Sequence, residues 1–157
     1  MDGWLLPAGR HPATLAQIEE RFVREAPFPD DRRPLFDALQ LYADRVWKVA
    51  GDAPLWVNGG FVTHKPWAAP EDIDVVFVLT ARQARDTPMF VLGPLCSAKL
   101  PSGGKSKAMG GLIDGFCIDG RAALERYWDG LWSSVTDEHK VKIEGLVKGY
   151  LEVRRSE

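Results

Sequence analysis

The first third of the chain places apolar residues at helical spacing. Residues 14–17 (Thr-Leu-Ala-Gln) have the form of a capping box and predict a helix of about ten residues that ends at Val23. A second helix is predicted from residue 31 to 50, with Pro34 in its first turn. Residues 1–13 are interrupted by Pro and Gly and predict no regular element.

After residue 51 the pattern changes to short β-branched runs. Residues 55–57 predict a short strand that ends at an Asn-Gly-Gly turn, and residues 72–79 (DIDVVFVL) are nearly continuously apolar, as in a strand covered on both faces. A third strand is predicted at 111–118, followed by a helix at 122–131. Residues 81–110 are broken by prolines and predict no defined element.

The C-terminal segment is compatible with a helix or a strand. Gly145 and Gly149 would each cost about 1 kcal/mol inside a helix, so a strand at 146–153 is favoured. The elements together predict the α+β class. We expect a single domain over residues 1–157, with a mixed β-sheet flanked by helices and the N-terminal helices preceding the sheet.

Composition narrows the setting of this domain. A chain of 157 residues, 45% of them hydrophobic, is long enough for one ordinary core, and a net charge of −2 argues against a protein that coats nucleic acid. Cys96 and Cys117 are too few for a disulfide framework and are expected to be reduced. No apolar run reaches the roughly 20 residues that span a bilayer, and residues 1–4 begin no signal peptide. We therefore expect a cytoplasmic protein without a membrane partner.

The strongest candidate for chemistry is a pair of carboxylates. Asp72 and Asp74 are two residues apart in a predicted strand and so share one face, where they repel each other unless a cation lies between them. Their hard oxygen ligands suit Mg²⁺ or Mn²⁺. Gly59 and Gly60 precede them, and a backbone without Cβ atoms can bring N–H groups close to a phosphate. A lone Asp-x-Asp is usually a solvated strand end, and a lone Gly-Gly is usually a turn. The two together, in this order along the chain, indicate a functional site more specifically.

These residues resemble a known fold. Residues 56–63 (WVNGGFVT) and 70–76 (PEDIDVV) are similar to the signature of the nucleotidyltransferase fold shared by DNA polymerase beta and the minimal nucleotidyltransferases. Further segments resemble a bacterial and phage branch of that superfamily: 6–14, 59–65, 127–128 and 148–153. The resemblance implies that Asp72 and Asp74 ligate metal, and that Gly59 and Gly60 cradle a nucleoside triphosphate.

The resemblance also implies a third carboxylate on a later strand. Asp114 fits that position best, with Asp119 as the alternative, and it would activate the incoming hydroxyl. Thr63, Lys65 and Lys105 are further candidates for binding the nucleotide.

Two other features of the sequence are candidate nucleotide contacts. Residues 101–107 contain Gly-Lys-Ser, but Lys99 stands where a P-loop needs glycine, so we predict a mobile polar loop whose lysines reach a triphosphate or an acidic partner. Trp67 is a candidate for stacking on a base, or alternatively a lid over the edge of the core.

The function implied is transfer of a nucleoside monophosphate from a triphosphate to a hydroxyl of a protein, an RNA or a small molecule. The resemblance adds a possible partner protein in a toxin–antitoxin or phage-defence pair. The alternative is a catalytically degenerate, antitoxin-like binding protein, because the superfamily often has serine at the position of Gly60 and a β-branched residue at that of Gly115. A structural phage component is a third interpretation.

Overall fold

The computed structural model describes residues 3–137 and 139–156, with the backbone alone at residues 122–124. The helices are α1 Leu15–Glu19, α2 Pro29–Ala50, α3 Ala81–Asp86, α4 Met89–Leu92 and α5 Ala122–Trp132. The strands are β1 Gly9–Pro12, β2 Leu55–Asn58, β3 Ile73–Leu79, β4 Ala98–Lys99, β5 Lys105–Ser106, β6 Ile113–Asp119, β7 Ser134–Thr136, β8 Lys142–Val147 and β9 Gly149–Val153. The predicted α+β class is confirmed. Within the described ranges, no helix is both long and apolar enough to cross a membrane.

Five strands form one mixed sheet in the order β1-β9-β2-β3-β6. β3 and β6 run parallel, whereas β2 is antiparallel to both of its neighbours. The pairing places Asn58 opposite Asp74, and Asp74 opposite Asp114, so these polar side chains lie side by side across three strands. Two further hairpins, β4–β5 and β7–β8, stand outside this sheet.

The two faces of the sheet are buried differently. The long helix α2 covers one face with a continuous apolar core that includes Leu39, Tyr42 and Val46, all fully buried. A smaller aromatic cluster packs beneath α5 on the other face, where Trp56, Trp132 and Tyr150 are in contact. The candidate carboxylates lie beside this smaller cluster, because Asp74 shares its face of β3 with Val76.

The N-terminal helices begin and end differently from the prediction. The capping box is confirmed, since Thr14 Oγ1 accepts from the Gln17 backbone N–H at 3.1 Å. However, α1 ends at Glu19 and continues as a π-helical segment, Glu20–Arg24. Helix α2 begins at Pro29 and not at residue 31, because proline suits the first position of a helix, and Pro34 therefore lies inside α2.

The sequence prediction also missed several elements and merged two strands. Residues 81–110, for which no defined element was predicted, contain α3, α4, β4 and β5, and β7 was not predicted either. The expectation that the N-terminal helices precede the whole sheet is wrong, because β1 comes before them. Residues 1–13 do contain a regular element, β1, which pairs in parallel with β9. This pairing needs glycine at residue 149, where a Cβ atom would lie 2.7 Å from the Gly9 carbonyl oxygen. The C-terminal strand is confirmed, but it is preceded by β8, and Gly149 begins the strand that enters the main sheet.

Candidate functional site

Three carboxylates meet at one end of the β3–β6 pair. Asp72 precedes β3, Asp74 lies within β3, and Asp114 lies opposite Asp74 on β6. One oxygen from each lies within 4.8 Å of the others, a spacing that allows all three to reach one cation. The structure therefore brings together the three residues that the sequence singled out, and their oxygens are the ligands that Mg²⁺ and Mn²⁺ prefer.

The middle carboxylate of this group is electrostatically strained. Burial, together with the negative charges of Asp72 and Asp114, raises the pKa of Asp74 to about 6. Lys148 and Lys105 oppose the shift. A divalent cation between the carboxylates would favour the ionised form of Asp74, so the arrangement suits a metal better than it suits an isolated carboxylate.

Two lysines from one segment already contact the outer carboxylates. Lys105 Nζ lies 2.6 Å from Asp114 Oδ2, and Lys107 Nζ lies 2.5 Å from Asp72 Oδ2. The hydrogen bond to Asp72 raises the pKa of Lys107 above its usual value. Lys105 was predicted to bind nucleotide, and here it contacts a carboxylate. These lysines occupy the position of a cation, and they would have to move for a metal to bind.

Asp114 is oriented by a residue that sequence reasoning missed. Ser97 Oγ donates to Asp114 Oδ1 at 2.5 Å and accepts from the Gly115 backbone N–H at 3.2 Å. The hydroxyl therefore links the carboxylate to the backbone of its own strand. Ser97 follows an unpatterned, proline-broken stretch, so the only sequence signal for it was a hydroxyl residue in a region without a predicted element.

Gly115 has a packing reason that does not involve chemistry. Tyr42 Oη donates to the Leu95 carbonyl at 2.7 Å directly over this residue. A Cβ atom at residue 115 would collide with that carbonyl and lie 2.5 Å from the tyrosine hydroxyl. Glycine is therefore required here by the crossing of α2 and the segment before β4. Packing alone therefore explains why glycine stands at this position.

The two glycines of the turn have different roles. Gly59 has φ +84°, and a Cβ atom there would lie 2.9 Å from Asp74 Oδ2, so both conformation and space require glycine. Gly60 has room, because the nearest atom to a Cβ would be Pro70 Cβ at 3.8 Å. The superfamily's serine would therefore fit at residue 60.

The segment after the turn is anchored by a buried arginine. Arg32 is fully buried in α2, and its guanidinium donates to the carbonyls of Phe61 at 2.6 Å and Thr63 at 2.7 Å. Thr63, a predicted nucleotide ligand, is buried, and its hydroxyl donates to the Gly60 carbonyl at 2.7 Å. Arg32 and Thr63 thus act as positioning residues for the glycine turn. Neither role could be read from local sequence.

A cavity of about 790 Å³ opens over the carboxylates, within the range of about 300–1,000 Å³ typical of small-molecule sites. Its cationic lining side chains are Lys65, Lys105, Lys107, Lys140 and Lys148. Phe116, Trp128, Leu131 and Trp132 form one apolar wall of the cavity, and Trp4, Leu5 and Val135 add further apolar lining. Asn58 Nδ2 donates to the Trp132 carbonyl at 2.9 Å and so fixes the end of α5 beside the site.

Three other residues that the sequence singled out lie at the edge of this cavity or away from it. Lys65 Nζ lies 5.6 Å from the centre of the Trp4 ring, at the edge of the cavity. Trp67 packs edge-on against Trp4 at 5.1 Å, but it is exposed, does not line this cavity and is not packed against the described core, so neither of its predicted roles gains support. Asp119, the alternative third carboxylate, pairs with Arg121 at the far end of β6, about 16 Å along the strand from Asp114.

Comparison with known proteins gives a family. A model described as a family of unknown function, DUF6932, matches residues 1–154. The chain belongs to the DUF6932 family. The match spans every element of the main sheet and all the residues of the candidate site. No curated protein and no solved structure matches the chain.

Lys148 is a cavity residue of this DUF6932 member that the sequence did not reveal. It directly precedes β9, and its Nζ donates to the Gly59 carbonyl at 3.3 Å. The residue lies 89 positions after the glycine turn. Only the insertion of β9 beside β2 brings the two together, so no local spacing could have identified it.

Proposed function

We propose that the protein is a metal-dependent nucleotidyltransferase that moves a nucleoside monophosphate from a nucleoside triphosphate to a hydroxyl group. The observation that carries this proposal is the convergence of Asp72, Asp74 and Asp114 next to the Gly59 turn. Closely spaced carboxylates beside a glycine turn and several lysines suit a metal-bound polyphosphate better than they suit a neutral ligand.

The residues present fit Mg²⁺ or Mn²⁺. They offer three hard carboxylates, and two of these hold lysine ammonium groups in the place of a cation. The three aspartates would hold the metal, which when bound neutralises negative charge on the reacting phosphate. The raised pKa of Asp74 supports the same assignment, since a cation would relieve its repulsion from the other two carboxylates.

The proposed transfer is a single displacement at the α-phosphorus. The acceptor oxygen forms a bond to the α-phosphorus, and the bond from the α-phosphorus to the oxygen that bridges to the β-phosphate breaks. The electron pair of that bond leaves with pyrophosphate, and the hydroxyl proton passes to Asp114. Ser97 holds Asp114 in place, and Lys105 has to release Asp114 and can then neutralise phosphate oxygens.

The acceptor is proposed to be a hydroxyl of a protein, an RNA or a small molecule. The apolar wall that includes Phe116 and Trp128 lies on the Asp114 side of the cavity, where the acceptor must approach. That wall favours an acceptor hydroxyl carried on a planar or apolar group. A toxin–antitoxin or phage-defence setting with a partner protein belongs to the proposal on the strength of the sequence resemblance alone.

Calorimetric titration tests the proposal. ATP, GTP, CTP and UTP are titrated into the protein with Mg²⁺ or Mn²⁺, and the titration is repeated with the double variant Asp72→Asn/Asp74→Asn and with Asp119→Asn as the matched control. We expect metal-dependent binding of at least one nucleotide, its loss in the double variant and its retention in the control. Equal binding by all three proteins, or no binding by any, would contradict the proposal.

One observation favours a second candidate: a catalytically degenerate protein of the nucleotidyltransferase fold that binds a partner protein. Lys105 and Lys107 already neutralise Asp114 and Asp72, so the carboxylates have partners without a metal. In that case the ion pairs are permanent and the protein does not bind Mn²⁺. Electron paramagnetic resonance of free Mn²⁺ separates the two candidates, since only the enzyme lowers the free-ion signal in an Asp74-dependent way.

A further inference from the structure

The cavity contains a half-buried ammonium group, that of Lys148, without a directly paired carboxylate among the described residues. Lys148 Nζ donates to the Gly59 carbonyl at 3.3 Å, which is its one hydrogen bond within residues 3–137 and 139–156. No carboxylate in that part of the chain lies within 4.0 Å of it. Since an ammonium group has three donors, two remain available to a ligand.

This arrangement is unfavourable in the empty protein. The pKa of Lys148 is lowered to about 8, mainly by burial; the charge of Asp74 opposes this shift and that of Lys65 adds to it. An ammonium group that is largely shielded from water normally has a counter-ion, and Lys148 has no carboxylate within 4.0 Å among the described residues. Lys148 lines the cavity, so an anion in the cavity can supply the missing partner.

The position of Lys148 separates it from the other lysines. Lys105 and Lys107 come from one segment and contact Asp114 and Asp72. Lys148 instead lies against the glycine turn, with Lys65 close enough to perturb its charge. Two cations on the glycine side, and no carboxylate paired with Lys148 among the described residues, fit a ligand with several negative charges.

We propose that Lys148, together with Lys65, binds the β- and γ-phosphates of the nucleotide and then the pyrophosphate that leaves. This inference rests on the proposed function, and it assigns the orientation of the triphosphate within the same site. The leaving oxygen, which receives the electron pair of the broken bond, faces the Gly59 turn and Lys148. The acceptor therefore enters from the opposite side, next to Asp114 and Phe116.

Inorganic pyrophosphate is a direct probe of this inference. It is titrated by calorimetry without divalent metal and in the presence of a chelator, into the unchanged protein, Lys148→Met, Lys148→Arg and Lys48→Met. Lys48 is an exposed lysine in the last turn of α2 and does not line the cavity, so its variant is the matched control. We expect Lys148→Met to weaken binding about tenfold or more, Lys148→Arg to restore most of it, and Lys48→Met to stay near the unchanged protein.

The outcomes separate this inference from the proposed function. Pyrophosphate binding that depends on Lys148, in a protein that binds no nucleotide with metal, supports the anion site while the proposed function fails. Metal-dependent nucleotide binding that Lys148→Met leaves unchanged overturns the inference alone. Absence of pyrophosphate binding by the unchanged protein also overturns it. Thermal melting of each variant shows whether a loss of binding reflects unfolding, and Lys148→Gln, which removes the charge but keeps an N–H donor for the Gly59 carbonyl, carries the test if Lys148→Met does not fold.

Discussion

The charge of Asp74 lowers the free energy of unfolding of the metal-free protein, and replacing the residue with asparagine should raise it again. Burial raises the pKa of Asp74 from 3.8 to about 6. A carboxyl whose folded pKa is raised contributes stability that is present below its unfolded pKa and is lost as the pH rises through the folded pKa. Asp74→Asn keeps the shape of the side chain and removes the charge. We therefore expect the variant to be more stable than the unchanged protein at pH 7.5.

The size of this effect follows from the shift. A change of about two pKa units corresponds to about 3 kcal/mol of unfolding free energy at pH 7.5, on the scale of 1.36 kcal/mol per unit. For a domain of this length, that difference raises the melting temperature by about 6–12 °C. At pH 4 the carboxyl is protonated in the folded protein, so the gain should nearly disappear.

The assay is urea unfolding with a chelator present, followed by circular dichroism at pH 4 and pH 7.5. Asp119→Asn is the control, because Arg121 holds the pKa of Asp119 below its usual value and its loss should not stabilise the protein. A variant at residue 74 that is no more stable than the unchanged protein at pH 7.5, or equally stabilised at both pH values, would refute the argument.

Three further predictions concern the metal and the turn. Mn²⁺ affinity, measured by electron paramagnetic resonance, should rise as the pH increases through about 6, because Asp74 must lose its proton to act as a ligand; a flat profile from pH 5 to 8 would contradict this. Lys107→Met should raise the Mn²⁺ affinity of the nucleotide-free protein several-fold by releasing Asp72, whereas Lys99→Met on the neighbouring β4 should not. Gly60→Ser should fold and keep metal-dependent nucleotide binding, whereas Gly59→Ser should lose it, because a side chain at residue 59 collides with Asp74; calorimetry showing the reverse order would contradict this interpretation of the turn.

The parts of the site that were predictable from sequence depend on residues close together in the chain. Asp72 and Asp74 stand at the start of an apolar strand, so they were expected on one face of it once the strand was recognised. Gly59 follows another strand, which placed the turn. Asp114 was assigned only through the resemblance, which implies a third carboxylate on a later strand, and the parallel pairing of β3 with β6 places it opposite Asp74.

The parts that were missed depend on contacts between distant segments. Lys148 reaches the glycine turn only because β9 inserts beside β2, and β1 is recognisable only through its partner β9. Ser97 and Arg32 act on carboxylate and backbone oxygens far away in the chain. Such roles leave no periodic pattern, because a single polar side chain at one position is compatible with many partners.

A crystal structure with Mn²⁺ and a non-hydrolysable nucleoside triphosphate tests the central claim most directly. Anomalous scattering locates the manganese without assuming its ligands. We expect a manganese peak between Asp72, Asp74 and Asp114, with Lys105 and Lys107 withdrawn from the carboxylates. Manganese bound elsewhere, or none bound while both lysine–aspartate pairs persist at saturating metal and nucleotide, would contradict the account.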